Sequence, residues 1–303
     1  YKIHSTIERI KSLNESLDPE LEKRLRLDLK KYCTSAGKDY IEICKLAGLS
    51  TEGLENLSQE TVEIIEQYSS GPWSYDDKTG RVNIDGSFRL EGYSARRESS
   101  ENYKKLSGVK FGDVAGDFKI SDLPELNDSL LDITCPLSVS GNYTISGSLI
   151  EKSTVPPRVG KNIDLRNNKI KKLENLPNNT DYSVFLDDNH LESLEGSPEK
   201  VGGDFTFDRQ NFENGSLSLK GSPREIVGSF TGTYNRIKTM DGCPEVIGGN
   251  LDLSNNNLKD LIGNLKAVNR RIRLERNDLA TLEGLPLGVR THDIECGKNL
   301  IPP

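Results

Sequence analysis

Hydrophobic residues in this chain change their spacing part-way along. At the start they recur at helical intervals: Ile3, Ile7, Ile10, Leu13 and Leu17 share one face of a 3.6-residue period. Asp18-Pro19-Glu20 has the form of a helix start, with a capping Asp and Pro at the first helical position. That second helix runs through Leu21, Leu25 and Tyr32 toward Gly37. A third is predicted over Tyr40 to Ala47, ended by Gly48. A fourth is capped by Ser58 and carries Val62, Ile65 and Tyr68 up to Gly71-Pro72. Residues 1–71 therefore read as a helical N-terminal segment.

After Pro72 the alternation shortens to two residues, the period of a half-buried strand. Trp73 to Val82 reads as a hairpin with a Gly-containing turn. Asn83–Leu90 and Gly108–Ile120 both end in Gly-x-Phe-x-(Leu/Ile), a strand entry that returns at Gly203-Asp204-Phe205-Thr206-Phe207. Residues 72–135 thus read as a hairpin followed by irregular first repeats.

From Pro136 to Pro303 the repeat is regular. Pro136, Pro157, Pro177, Pro198, Pro223, Pro244, Leu265 and Pro286 follow one another at intervals of 21, 20, 21, 25, 21, 21 and 21. Between the markers, Ile163–Leu173, Leu251–Leu261 and Ile272–Leu282 have the form LxLxxNxLxxL; Val184–Leu194 fits with Asn189, and Phe230–Met240 fits more loosely with Asn235. In LxL the first and third residues point inward and the middle one outward. One such unit buries too little to fold alone, so the units must stack. The Asn sits where the chain leaves the strand, placed to bond backbone groups of adjacent turns. A unit this short leaves little room for a helix on the outer side, where extended or 3-10 backbone is expected. Four extra residues before Pro223, within Glu213–Ser218, predict a bulge at the outer edge. The last unit reads as a degenerate cap, with His292 at a core position, Asp293 beside it and Gly297 in place of the Asn.

These motifs resemble the leucine-rich-repeat family, in particular its short bacterial class with a Pro near the end of each unit. The opening WSYDDKTGRVNIDGSF, followed by GVKFGDVAGDF and Gly-x-Pro-x-x-Val-Gly-Gly units, is similar to repeat proteins encoded by large tailed bacteriophages. The resemblance implies an α/β leucine-rich-repeat solenoid: a parallel sheet on a concave face, an extended or 3-10 outer face, and the helical segment ahead of it.

Composition agrees with a thin, elongated core. Apolar residues are 34% and charged residues 29%, with a mean hydropathy of -0.58. The net charge of -7 argues against nucleic acid, whose phosphates call for a basic face, and fits a neutral or basic partner. Five cysteines without CxxC spacing read as reduced thiols in a cytosolic setting. No apolar run reaches the ~20 residues a membrane helix needs, and the visible N-terminus has no signal-peptide core. The sequence opens on Tyr1 without Met, as a trimmed chain would.

No catalytic constellation, phosphate loop or zinc spacing is present in the sequence. His4, His190 and His292 lie far apart and read as structural. Asp187, Asp188, Asp204 and Asp208 fall on adjacent units, and a solvated acidic face describes them better than a cation site. No metal, cofactor or enzymatic activity is therefore expected. Stacking the units places Thr144, Asp164, Phe185, Thr206, Thr231, Asp252, Arg273 and Asp293 in one outward column, flanked by Arg166, Asp187, Asp208, Arg271 and Glu275. Phe185 is either a binding anchor or a lone exposed apolar residue of the ordinary kind. The candidate partner-binding set is Asp164, Arg166, Phe185, Asp187, Thr206, Asp208, Thr231, Asp252, Arg271 and Arg273. The first expectation is a module that binds a protein through the concave sheet in a host cytoplasm. A second is a structural virion component docked by its helices. A third is a fragment of a repeat-bearing effector related to bacterial ubiquitin ligases, whose separate catalytic Cys domain is not visible before Pro303.

Overall fold

A computed structural model describes residues 40–49, 51, 56–92, 105–107, 109–210, 215–286 and 294–301, together with helical positions 7–8, 24–26, 28–29 and 32–33. The helix start at Asp18-Pro19 and most of the first two predicted helices lie outside the described residues. Helix α1 spans Tyr40–Leu46, and Gly48 follows it at φ 71°. Helix α2 spans Gln59–Tyr68, and the Ser58 hydroxyl accepts the Thr61 N–H at 3.2 Å as its N-cap. The predicted hairpin is present: Trp73–Asp76 pairs antiparallel with Arg81–Ile84, closed by Gly80 at φ 67°.

The rest is a solenoid of parallel strands. Its main sheet has ten, in chain order: Phe88–Glu91, Phe118–Ser121, Tyr143–Ser146, Ile163–Asp164, Val184–Phe185, Phe205–Thr206, Phe230–Thr231, Leu251–Asp252, Ile272–Arg273 and Ile294–Glu295. The sheet therefore begins well before Pro136, in the irregular repeats. In the first nine strands the first and third positions of the Leu-x-Leu pattern are buried and the middle one faces out, as alternation requires; in the last, Ile294 and Cys296 are half-buried. Within the core, Phe88, Phe118 and Tyr143 stack in successive turns with centroids 5.5 and 5.8 Å apart, and Phe205 stacks on Phe230 at 6.0 Å.

The outer side is extended and forms a second layer of short strands; beyond the antiparallel Trp73–Asp76 they run parallel, one ahead of each main strand from Phe88–Glu91 to Ile272–Arg273. It is broken into two five-stranded sheets, between Arg158–Val159 and Asn179–Thr180. Just past the break Tyr182, at the place where Lys161 and Gly203 each donate to the preceding turn, donates instead to the Thr180 hydroxyl at 3.2 Å. Helix α3, Asp128–Thr134, was not anticipated from the periodicity. It fits because 25 residues separate Phe118 from Tyr143, and Asn127 caps it by accepting the Leu130 N–H at 3.2 Å. Of the stretch Glu213–Ser218 expected to bulge, 213 and 214 lie outside the described residues; Leu217 and Leu219 return to the core, and Phe205↔Phe230 pairing is undisturbed.

The Asn ladder forms as expected. Asn189 is fully buried; its Nδ2 donates to the carbonyls of Leu165 at 2.8 Å and Leu186 at 2.9 Å, and its Oδ1 accepts the Ile170 N–H at 3.1 Å. Asn168, Asn256 and Asn277 bond likewise, and Gln210 takes the place of an Asn between them. The residue before each ladder amide turns the chain through positive φ, at 57° for Asn167, 56° for Asp188 and 56° for Asn255.

The last turn corrects the sequence reading. Ile294, not His292, pairs with Ile272, and Asn299, not Gly297, is the ladder amide, donating to Leu274 at 2.8 Å and Cys296 at 2.8 Å. The interval from Ile272 is 22 residues rather than 20, so Glu295 takes the outward place assigned to Asp293. His292 and Asp293 themselves lie outside the described residues.

Candidate functional site

The register of the main sheet aligns Asp164, Phe185, Thr206, Thr231, Asp252 and Arg273 on successive strands. Five strand spacings make this column roughly 24 Å long. Extended backward, the same column includes Arg89, Lys119 and Thr144. Sequence reasoning left Arg89 and Lys119 out, although the shared Gly-x-Phe-x-(Leu/Ile) entry marks both as outward positions.

The candidate residues fall into three groups. In the first, the Arg166 guanidinium grips Asp164 with two bonds of 2.9 and 2.7 Å and lies over the Phe185 ring, 5.2 Å from its centroid. Phe185 is half-buried, not the freely exposed aromatic that the sequence suggested. The bond to Asp164 holds the Arg166 pKa above its ordinary value.

In the second, Asp187 accepts the Thr206 hydroxyl at 2.8 Å and the Asp208 N–H at 2.7 Å, while Asp208 accepts the Thr233 N–H at 2.6 Å. Burial, and then the charge of Asp187, push the Asp208 carboxyl above the usual carboxylate range, against the pull of the Thr233 N–H bond. Asp188 is neutralised by Arg209 through bonds of 2.8 and 2.7 Å. This is a hydrogen-bonded acidic stretch, and not a fully solvated one. Thr231 stands next to it in the column.

In the third, Asp252 accepts the Ser254 hydroxyl at 2.6 Å and has the Arg273 guanidinium at 3.8 Å. Glu295 joins Arg273 at 3.2 Å and Arg271 at 3.5 Å. The three groups share a face, but among the described residues no side-chain hydrogen bond links one group to the next.

A cleft of about 340 Å³ opens on this face where the first group meets the early strands, lined by Arg89, Glu91, Lys119, Thr144, Asp164 and Phe185 among others. Its charges are prepaired: Arg89 with Asp117 at 2.7 Å, Lys119 with Glu91 at 2.6 Å.

Under the face runs a ladder the sequence reading missed. Each residue just ahead of a main strand is Ser, Asp or Asn up to position 250, and its side-chain oxygen accepts the N–H of the equivalent residue one turn on. The links run from Ser70 to Ser87, Asp117, Asn142, Asn162, Ser183, Asp204, Ser229, Asn250 and finally Arg271. The column of small polar residues was its signal. It fixes Asp204 as a structural group. It also sets Asp117: burial opposes its ionisation, but the Asn142 N–H and Arg89 bonds prevail and hold its pKa below the usual carboxylate range.

His190, beside ladder Asn189, is held below the ordinary histidine range by burial and then by Lys169 and Lys171. Among the described residues no group of three or more His, Cys, Asp or Glu side chains could hold a metal ion, and no helix is long and apolar enough to cross a membrane. No family model matches the chain, and no curated protein or solved structure matches it either.

Proposed function

We propose that this chain is a non-enzymatic recognition module of the leucine-rich-repeat kind, which binds a protein partner through the outward face of its main sheet. The observation that carries the reading is the Asp164–Arg166–Phe185 group at the edge of the 340 Å³ cleft. An aromatic ring and a guanidinium locked by a carboxylate lose little side-chain entropy on binding, and Arg and aromatic residues dominate interface energetics. The period near 21 residues and the buried amide ladder speak for the leucine-rich-repeat assignment. Helices α1 and α2 belong, in this reading, to a helical N-terminal segment over 1–71. The phage resemblance supports a host cytoplasm or a virion as its location.

The test is affinity capture from infected-cell lysate with mass-spectrometric identification. Wild type is compared with Phe185→Ala, Arg166→Ala and a control, Lys200→Glu, on the second layer. A protein held by wild type and control but lost by both face variants is the expected result. Equal recovery by all four proteins would refute the assignment of the face.

A further inference from the structure

A second cavity, larger than the 340 Å³ cleft, lies among the described residues away from the face just described. It is a trough of about 960 Å³ across the outer surface of the first five-stranded sheet. Its lining draws on every strand of that sheet, from Trp73 through Asn83, Asp113 and Ser140 to Gly160. It therefore runs perpendicular to the strands, over four spacings or roughly 19 Å. We propose that this trough binds a linear, neutral oligosaccharide, with one sugar ring per strand.

Three observations argue for that occupant. The first is the lining. After each inward residue of the sheet (Ile84, Val114, Val139, Val159) comes an outward one with a short side chain or none: Asp85, Ala115, Ser140, Gly160. The floor is thus low along its whole length. Beside it runs a row of hydrogen-bonding groups whose orientation is fixed. Asn83 Oδ1 accepts the Asp113 N–H at 2.8 Å, which leaves its amide N–H groups for a ligand, and Asp113 accepts the Ser138 hydroxyl at 2.5 Å. Amides and carboxylates held this way suit the paired hydroxyls of a sugar.

The second is Trp73 at the end of the trough. Its half-buried indole packs against both hydrophobic clusters of the protein and so presents a fixed face. A rigid aromatic face stacks on the C–H face of a pyranose with little loss of entropy.

The third is spacing. Adjacent strands repeat every ~4.7–4.9 Å. An extended polysaccharide advances by close to that distance per ring, so each strand meets an equivalent ring. An extended peptide repeats its side-chain direction every two residues, ~6.6–6.8 Å, and slips by about 2 Å per strand. The ionisable residues of the lining are Asp85, Asp113 and Arg158, a balance that favours neither a polyanion nor a polycation.

Trp73 is the single tryptophan of the chain, so its emission reports on this site alone. Cellohexaose, chitohexaose, laminarihexaose, mannohexaose and xylohexaose would each be titrated against the full chain. At least one is expected to shift the emission saturably, more tightly than its own disaccharide. Ala115→Arg and Ser140→Arg fill the floor from exposed positions and should each weaken that binding about tenfold or more, with unchanged circular dichroism. Phe185→Ala should leave it unchanged, so failure here and failure of the protein-binding face are separate results. The proposal is overturned if no hexasaccharide saturates at millimolar concentration, if both floor variants bind as wild type, or if a proline-rich decapeptide gives the same saturable, floor-dependent shift.

Discussion

Replacing Asn189 by Ala tests whether the buried amide ladder holds the turns together. Asn189 is fully buried and makes three bonds at 3.1 Å or less: Nδ2 to the Leu165 and Leu186 carbonyls, and Oδ1 from the Ile170 N–H. The two carbonyls keep a second donor after the substitution, since Asn168 also bonds Leu165 at 2.8 Å and Gln210 also bonds Leu186 at 2.9 Å. Ile170 has no such reserve, and its N–H is left buried and unpaired. That orphan costs about 1–3 kcal/mol, and losing two bonds to still-satisfied carbonyls about 0.5–1.5 each. The expected loss is therefore about 2–6 kcal/mol. Asn257→Ala is the control, because its amide reaches only Asp278 at the surface, at 3.1 Å; surface changes of this kind stay within about 0.5 kcal/mol. Urea unfolding followed by far-ultraviolet circular dichroism and by Trp73 emission would give both values. If Asn189→Ala costs no more than Asn257→Ala, the ladder does not bind the turns and the argument fails.

Two further predictions follow from packing and charge. Gly232 occupies an inward strand position because the Phe207 ring fills the space; an added Cβ would lie 2.2 Å from that ring, so Gly232→Ala should lower stability by about 1–3 kcal/mol in the same urea assay. Asp117, whose pKa is depressed in the folded chain, contributes stability that is present above the unfolded Asp value of ~3.9 and is lost as pH falls through the folded value. The Tm advantage of wild type over Asp117→Asn, which keeps the acceptor but not the charge, should therefore shrink between about pH 5 and pH 3; an advantage that grows on acidification would contradict the assignment.

The sequence by itself determined the period, the inward and outward positions of each strand and the amide ladder, because all three recur at fixed intervals along the chain. Burying one side of a two-residue alternation leaves no choice of face. Ser58, Gly48 and the hairpin were legible for the same reason, since caps and tight turns are decided within a few residues. What only the tertiary structure decided involves residues brought together across a turn. The place of Ile294 and Asn299 follows from what pairs with Ile272 and Leu274, and a 22-residue interval reads as noise until those bonds are seen. Gln210 passes as a ladder member only because its longer side chain still reaches the Leu186 and Phe207 carbonyls. At the candidate face, the outward column was legible, but its chemistry was not. Arg166 folding over Phe185, Asp208 losing its water to burial, and the trough beside Trp73 all depend on neighbours about one repeat away or more in the chain and in contact only once the turns stack.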